Sequence, residues 1–240
     1  MAFTTTATIS LFGGKLLKLK HNATATNCEM ALNLFIPPQA SSKKVPVLFY
    51  LSGLTCTGDN CSEKGFFQAS ASKKGIAVVY PDTSPRGLKI QGEDDSWDFG
   101  TGAGFYINAT KEPWSSGYNM YTYITEELPA ALFASFNELD SERVSITGHS
   151  MGGHGALTLV CYLLLFKLRA HPSTKDRMLT NISTYEIQES IRAALPSHLF
   201  QIRSTARGVK RHSVVILETI RRSNGRSTMP LSSSRNGKGR

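Results

Sequence analysis

The pattern of apolar and polar residues predicts four strands of a buried sheet. Every second residue from 30 to 36 is Met, Leu or Ile, which is the period of a strand, and Pro37 follows directly. Val45–Leu51 is a continuous apolar run, VPVLFYL, and such a run is typical of a strand that is buried on both faces of a parallel sheet. Shorter apolar runs at residues 76–80 and 144–147 predict two further strands.

Helical spacing between these runs completes an α/β pattern. Apolar residues recur every four positions from Ile124 to Phe136, which predicts a helix over residues 121–136. Residues 66–74 and 156–168 are the other helical candidates. Strands that alternate with helices predict an α/β fold with a mostly parallel sheet.

The charge is distributed unevenly along the chain. Residues 160–240 contain 15 Lys and Arg against four Asp and Glu, whereas residues 1–159 contain 12 against 14. We therefore expect two parts, a near-neutral body over residues 1–159 and a basic tail over residues 160–240 whose end has the composition of a disordered segment. Within the tail, residues 214–220 fit either a strand or a helix. We expect no nucleic-acid binding, because no stacking aromatic residues or recognised fold accompany the charge.

The sequence lacks the usual signals of export, of membrane insertion and of metal binding. The N-terminus, MAFTTTATIS, has no basic region followed by an apolar one, so we expect no secretory signal and a cytoplasmic protein. The longest apolar stretch, residues 156–168, has 13 residues where a membrane span needs about 18, so we expect no membrane partner. The four cysteines have neither CxxC spacing nor histidines at zinc-like intervals, and we expect free thiols and no metal.

One motif carries chemistry. Gly148-His149-Ser150-Met151-Gly152 is G-x-S-x-G between a predicted strand and a predicted helix, the setting of a nucleophile elbow. In such an elbow the backbone turns sharply and holds the serine in a strained conformation, with its hydroxyl exposed above the sheet. Ser150 is therefore the candidate catalytic nucleophile. The alternative is a glycine-rich turn with a passive serine.

A serine nucleophile also needs donors for the negative charge that develops on the substrate oxygen. One donor is expected to be the backbone N–H of Met151, directly after the nucleophile, and the other an N–H from the loop after an earlier strand. Residues 52–55 follow the strand Val45–Leu51, which makes the N–H of Leu54 the second candidate for this oxyanion hole. An ordinary turn is the alternative for this loop.

Four segments together resemble S-formylglutathione hydrolase, also called esterase D, over roughly residues 11–159. They are LSGLTCT at 51–57, PDTSPRG at 81–87, GEDDSWDFGTGAGFY at 92–106 and GHSMGGHGAL at 148–157. The resemblance implies an α/β-hydrolase fold and a cytosolic serine thioesterase that hydrolyses S-formylglutathione to glutathione and formate in formaldehyde detoxification. It implies no cofactor, and members of the family are often homodimers.

The resemblance also assigns residues by position. It makes Ser150 the nucleophile, Leu54 and Met151 the oxyanion hole, and Cys56 a thiol near the site that is either sensitive to thiol reagents or structural. Independently of the family, the loop chemistry makes Arg86 and Lys89 candidates to bind the glutathione carboxylates, or these side chains are simply solvated. An acyl group as small as formyl needs a tight pocket. Four aromatic residues are candidates for its wall, and the alternative is that they serve only in packing. They are Trp97, Phe99, Phe105 and Tyr106.

The sequence departs from the family after about Leu159. A triad needs an acid and then a histidine after the nucleophile, yet the only Asp after Ser150 is Asp176, and the GYDHS-like stretch that holds the family's histidine is absent. Asp176 with His198 or His212 has the right order but not the spacing, so the triad Asp and His remain unassigned. We expect the fold to be truncated after the nucleophile helix, with one flank of the sheet left open.

Three functional hypotheses remain from the sequence. The chain is an S-formylglutathione hydrolase, a broader carboxylesterase on the same fold, or an inactive remnant in which Ser150 lacks a proton acceptor. His149 and His154 are expected to be structural. The change of pattern at Val160-Cys161 favours a gene model or a transcript that reads through an intron.

Overall fold

The computed structural model describes residues 3–170 and 214–218. Asp176, His171, His198 and His212, and most of the predicted basic tail, lie outside the described residues. The predicted boundary at residue 160 falls within a helix that runs without interruption from Met151 to Ala170. Among the helices that the structure describes, none is long and apolar enough to cross a membrane.

The described part of the chain forms a seven-stranded sheet in the order β1-β2-β3-β5-β4-β6-β7. β4 lies between β5 and β6 and is parallel to both, and the remaining pairs are antiparallel. The sheet therefore has a parallel centre with antiparallel flanks. The strands are β1 Thr4–Leu11, β2 Gly14–Ala23, β3 Cys28–Ile36, β4 Val45–Leu51, β5 Ala77–Pro81, β6 Leu139–His149 and β7 Val214–Glu218.

Five α-helices connect or follow these strands in the described residues. α1 begins after Thr57, whose side chain and that of Asn60 form a reciprocal capping box. α2 is followed by Gly75, which has the left-handed backbone that favours glycine at a helix end. The helices are α1 Gly58–Lys64, α2 Phe67–Lys74, α3 Met120–Thr122, α4 Leu128–Ser135 and α5 Met151–Ala170, with a π-helical turn at Tyr123–Glu127 between α3 and α4.

The burial of the parallel strands explains their apolar sequences. All five residues of β5 are buried, and β4 has no exposed residue, because helices or other chain segments cover both faces. The strands predicted at residues 30–36, 45–51, 76–80 and 144–147 are confirmed. β6 is longer than predicted, and β1, β2 and α1 were not predicted.

The edge of β6 that faces away from β4 is paired with another strand, whereas an open flank was expected. β7 pairs with it antiparallel, from Ser145 opposite Glu218 to His149 opposite Val214. The expectation was wrong because it considered only family-like strands, whereas a strand from the basic tail fills this edge. The same pairing settles residues 214–218 as a strand.

Candidate active site

Ser150 lies in the single-residue turn between β6 and α5. β6 ends at His149 and α5 begins at Met151, so a single residue joins the strand to the helix. Ser150 has a φ of +55°, in the left-handed region that side-chain-bearing residues rarely adopt, and it is exposed. The structure thus contains the strained turn and the accessible serine that the sequence pattern predicts.

Close backbone packing holds this turn against the neighbouring strand. A methyl group on Gly152 would overlap the carbonyl oxygen of Leu51, the last residue of β4. A methyl group on Gly53 would lie 3.3 Å from the Cβ of Ser150 and 3.3 Å from Nδ1 of His149. The loop after β4 and the turn after β6 therefore touch closely, with room for hydrogen alone at Gly152 and only a tight fit for a methyl group at Gly53.

The two candidate oxyanion donors lie on the two sides of this contact. The N–H of Met151 is in the first turn of α5, where backbone N–H groups have no carbonyl partner within the helix. Leu54 is half-buried and directly follows Gly53, which lies against Ser150. The fold therefore brings Leu54, Met151 and Ser150 into one small region at the carboxyl end of the parallel strands.

The 52–57 loop, which carries Leu54, is held by hydrogen bonds to distant segments. Tyr106 Oη donates to the carbonyl of Ser52 at 2.9 Å, and the N–H of Thr55 donates to the carbonyl of Gly102 at 3.0 Å. Burial raises the pKa of Tyr106 well above its usual range, so its hydroxyl stays a proton donor. Thr55 has a φ of +64°, so its backbone is strained, as that of Ser150 is.

Arg86 points into the protein rather than only towards solvent. Its Nε donates to Asp82 Oδ2 at 2.8 Å, and its Nη2 donates to Asp82 Oδ1 at 2.9 Å and to the carbonyl of Cys56 at 3.3 Å. The hydrogen bonds with Asp82 raise the pKa of the guanidinium. The half-buried Cys56 thus contributes its backbone carbonyl to this network, at a position two residues from Leu54.

The four aromatic candidates for a pocket wall do not act together. Tyr106 is fully buried and lies against α5, because a methyl group on Gly155 would contact its ring. Trp97 is 69% exposed. Phe99 and Phe105 instead line an apolar cavity of about 280 Å³ together with Trp114.

The described residues after Ser150 do not supply a recognisable triad. His154 is the only histidine among residues 151–170 and 214–218, and it is exposed in the first turn of α5. Its backbone N–H donates to the carbonyl of Ser150 at 3.1 Å. His149 is half-buried beside Gly53. The formal partners Asp176, His198 and His212 lie outside the described residues.

Sequence reasoning missed the residues that fix the 52–57 loop. Thr83 Oγ1 donates to the carbonyl of Cys56, and Ser84 Oγ accepts a hydrogen bond from the N–H of Gly102. A signal was present, because the motif PDTSPRG follows β5, which is parallel to β4 and ends at the same edge of the sheet.

Comparison with known proteins gives concordant matches over the described body. The model of the esterase family, described as "Putative esterase", matches residues 23–163. The chain is 55% identical over 152 residues to S-formylglutathione hydrolase of Mus musculus, which covers 63% of this chain and 53% of the mouse protein. It is 50% identical over 161 residues to that of Saccharomyces cerevisiae, covering 62% and 54%. The chain thus spans about half the length of these curated relatives.

A solved structure extends the likeness to the fold. The S-formylglutathione hydrolase from Agrobacterium tumefaciens matches with a TM-score of 0.64 and 46% identity, over 68% of this chain and 57% of that one. Together with the parallel centre of the sheet and the turn at Ser150, this match confirms the predicted α/β-hydrolase fold.

Proposed function

Because the chain belongs to the esterase family, whose model matches residues 23–163, we propose that its site cleaves thioesters with Ser150 as the nucleophile. The observation that carries the proposal is the exposed Ser150 at a φ of +55°, between a strand and a helix. A serine in this position presents its oxygen to a substrate carbonyl without hindrance from its own helix.

The proposed substrate is S-formylglutathione, the compound named in the relatives' descriptions. Ser150 Oγ forms a bond to the thioester carbonyl carbon, and the carbonyl oxygen takes up negative charge that the N–H groups of Leu54 and Met151 stabilise. The C–S bond then breaks, the glutathione sulfur takes up the proton that Ser150 released, and glutathione leaves. Water then hydrolyses the formyl-serine to formate and restores the Ser150 hydroxyl. Formaldehyde catabolism in the cytoplasm is the setting in which such a reaction belongs.

The proton of Ser150 needs an acceptor for this reaction to be fast. In serine hydrolases of this fold the acid and the histidine follow the nucleophile in the chain, and the described residues after Ser150 offer only His154 as a histidine. This observation favours a second candidate, a remnant that keeps the nucleophile and the oxyanion donors but lacks the base. Loss of triad members leaves a residual acceleration of about 10³–10⁴ over water.

A specific observation also favours a broader carboxylesterase. The apolar cavity beside Phe99 and Phe105 has a volume of about 280 Å³, far more than a formyl group occupies. Its wall includes Gly100 and Ala103. These residues flank Gly102, whose carbonyl accepts a hydrogen bond from the N–H of Thr55. This candidate requires that the larger apolar group of an ester enters this space, whose lining does not include Ser150, Leu54 or Met151.

Turnover by the purified 240-residue chain separates these candidates. We expect faster hydrolysis of S-formylglutathione than of p-nitrophenyl acetate, and loss of both activities in Ser150→Ala. A preference for the p-nitrophenyl ester would support the carboxylesterase. Absence of turnover together with failure of a fluorophosphonate probe to label Ser150 would support the remnant and contradict the proposed hydrolase.

A further inference from the structure

The 52–57 loop contains a conformation that its own sequence does not favour. Thr55 is β-branched, yet its φ is +64°. Such a residue is a backbone outlier and persists in the left-handed region only where its surroundings hold it. Leu54 and Thr55 are the two central residues of a turn that the N–H of Cys56 closes by donating to the carbonyl of Gly53 at 3.3 Å. Whatever holds Thr55 and Cys56 therefore also constrains the Leu54 N–H.

Hydrogen bonds fix the chain on both sides of this residue. On one side the N–H of Thr55 donates to the carbonyl of Gly102 at 3.0 Å, and Gly102 is fixed by Ser84 Oγ, which accepts its N–H at 2.7 Å. On the other side the carbonyl of Cys56 accepts from Thr83 Oγ1 and from Arg86 Nη2.

The second set of bonds rests on an ion pair between the buried Asp82 and the half-buried Arg86. Asp82 directly follows β5, is 3% exposed, and accepts two hydrogen bonds from the guanidinium of Arg86 and one at 2.7 Å from the N–H of Thr83. A bidentate pair of this kind fixes the plane of the guanidinium as well as its position. The donors to Cys56 are therefore preset by the end of β5, independently of any substrate.

We propose that Asp82, Thr83 and Arg86 form a clamp that holds the Cys56 carbonyl and the left-handed Thr55, and thereby aims the N–H of Leu54 at the substrate oxygen beside Ser150. This role rests on the proposed function of Leu54 as an oxyanion donor. Arg86 is in this view a positioning residue that acts through the loop. It is not a binding residue for the carboxylates of glutathione.

The first test compares Arg86→Gln with Arg143→Gln in the full chain. Arg143 is a matched control, because its Nε donates to Asp140 at 2.6 Å and its Nη2 to the carbonyl of Lys44 at 3.0 Å, at the opposite end of β4. With S-formylglutathione we expect kcat of Arg86→Gln to fall about 10- to 100-fold with KM unchanged, because a displaced donor weakens stabilisation of the transition state. Arg143→Gln should keep both values. A higher KM with unchanged kcat in Arg86→Gln would show instead that Arg86 binds substrate, and would overturn the clamp.

The second test does not depend on turnover, so it separates failure of the clamp from failure of the proposed hydrolase. Amide hydrogen exchange is followed by mass spectrometry in peptides that cover residues 52–57. Arg86→Gln should accelerate exchange there by about tenfold while peptides from β3 and β4 keep their protection, and Arg143→Gln should not. Thr83→Val provides the same test if Arg86→Gln does not fold. Unchanged exchange in residues 52–57, or acceleration spread evenly over the sheet, would refute the clamp even in an active enzyme.

Discussion

Two strand-to-helix junctions meet at the candidate site, and they are stabilised in different ways. The junction between β4 and α1 contains Thr55 at a φ of +64°, and the junction between β6 and α5 contains Ser150 at +55°. Both residues carry side chains in a region of backbone space that glycine normally occupies. The strain is therefore similar, and the difference lies in what opposes it.

Hydrogen bonds hold the first junction and close packing holds the second. The loop with Thr55 depends on donors from Thr83 and Arg86, whereas the turn with Ser150 depends on the absence of a side chain at Gly152, which lies against the carbonyl of Leu51. A junction held by packing should respond to added volume and be insensitive to lost donors. The junction held by hydrogen bonds should show the opposite behaviour.

The largest effect is expected where volume is added to the packed junction. Gly152→Ala places a methyl group on the carbonyl oxygen of Leu51, and neither backbone can move without disturbing the sheet. We expect a loss of about 3 kcal/mol in the free energy of unfolding, measured by urea denaturation. Gly87→Ala is the control for strain alone, because Gly87 has a φ of +74° but open space around it, and should cost about 1 kcal/mol. Equal losses for the two variants would show that packing is not the decisive term.

Removing a donor from the polar junction should have the next largest effect. Thr83→Val keeps the shape of a fully buried side chain but leaves the Cys56 carbonyl with one donor fewer. We expect a loss of about 1 kcal/mol in the free energy of unfolding, because the Cys56 carbonyl keeps only its longer hydrogen bond, from Arg86 at 3.3 Å. Thr83→Ser retains the hydroxyl and should lose less. Indistinguishable stabilities for the two variants would contradict the assignment of this junction to hydrogen bonding.

Relief of strain at the nucleophile position should have an effect of similar size and opposite sign. Ser150→Ala and Ser150→Gly both remove the hydroxyl, but only glycine adopts a φ of +55° without strain. We expect Ser150→Gly to be more stable than Ser150→Ala by about 1 kcal/mol in chemical denaturation, after allowance for the greater freedom of glycine in the unfolded chain. Equal stability would mean that the turn stores no measurable strain.

The same contrast explains which parts of the molecule the sequence predicts. Apolar patterns predicted β4, β5 and the centre of β6, because β4, β5 and residues 144–147 contain no exposed residue. β1, TTTATISL, was missed because it lies at the edge of the sheet, where most of its residues are exposed and alternation carries no information. β2 was missed although Leu17 and Leu19 alternate with lysines, a usable strand signal.

The site follows the same rule. The packed turn was predictable because it needs glycines at fixed spacing around Ser150, and these are visible as G-x-S-x-G. The clamp was not, because hydrogen bonds from Thr83 and Arg86 to Cys56 join residues about thirty positions apart, and no local pattern records them. Arg86 was accordingly considered either a ligand for substrate carboxylates or a solvated side chain, and its pairing with Asp82 was not visible in the sequence.

The smallest expected effect is a pH dependence of stability at the junction held by hydrogen bonds, where the first turn of α1 follows the 52–57 loop. Partial burial acts to raise the pKa of Asp59, but the hydrogen bond from Asn33 and the ammonium of Lys18 outweigh it, so its pKa in the folded state lies below the ordinary value of 3.8. The unfolded chain therefore takes up this proton first, and the stabilisation by Asp59 is present above about pH 4 and is lost as the pH falls through the lower, folded pKa. Asp59 is largely exposed, so we expect only about 0.5 kcal/mol, seen as a difference in unfolding free energy between the wild type and Asp59→Asn at pH 7 that disappears near pH 2. In a Lys18→Met background this difference should shrink at pH 7, because one of the two groups that lower the pKa is gone. A difference of the same size at both pH values would mean that Asp59 acts through its shape and not its charge.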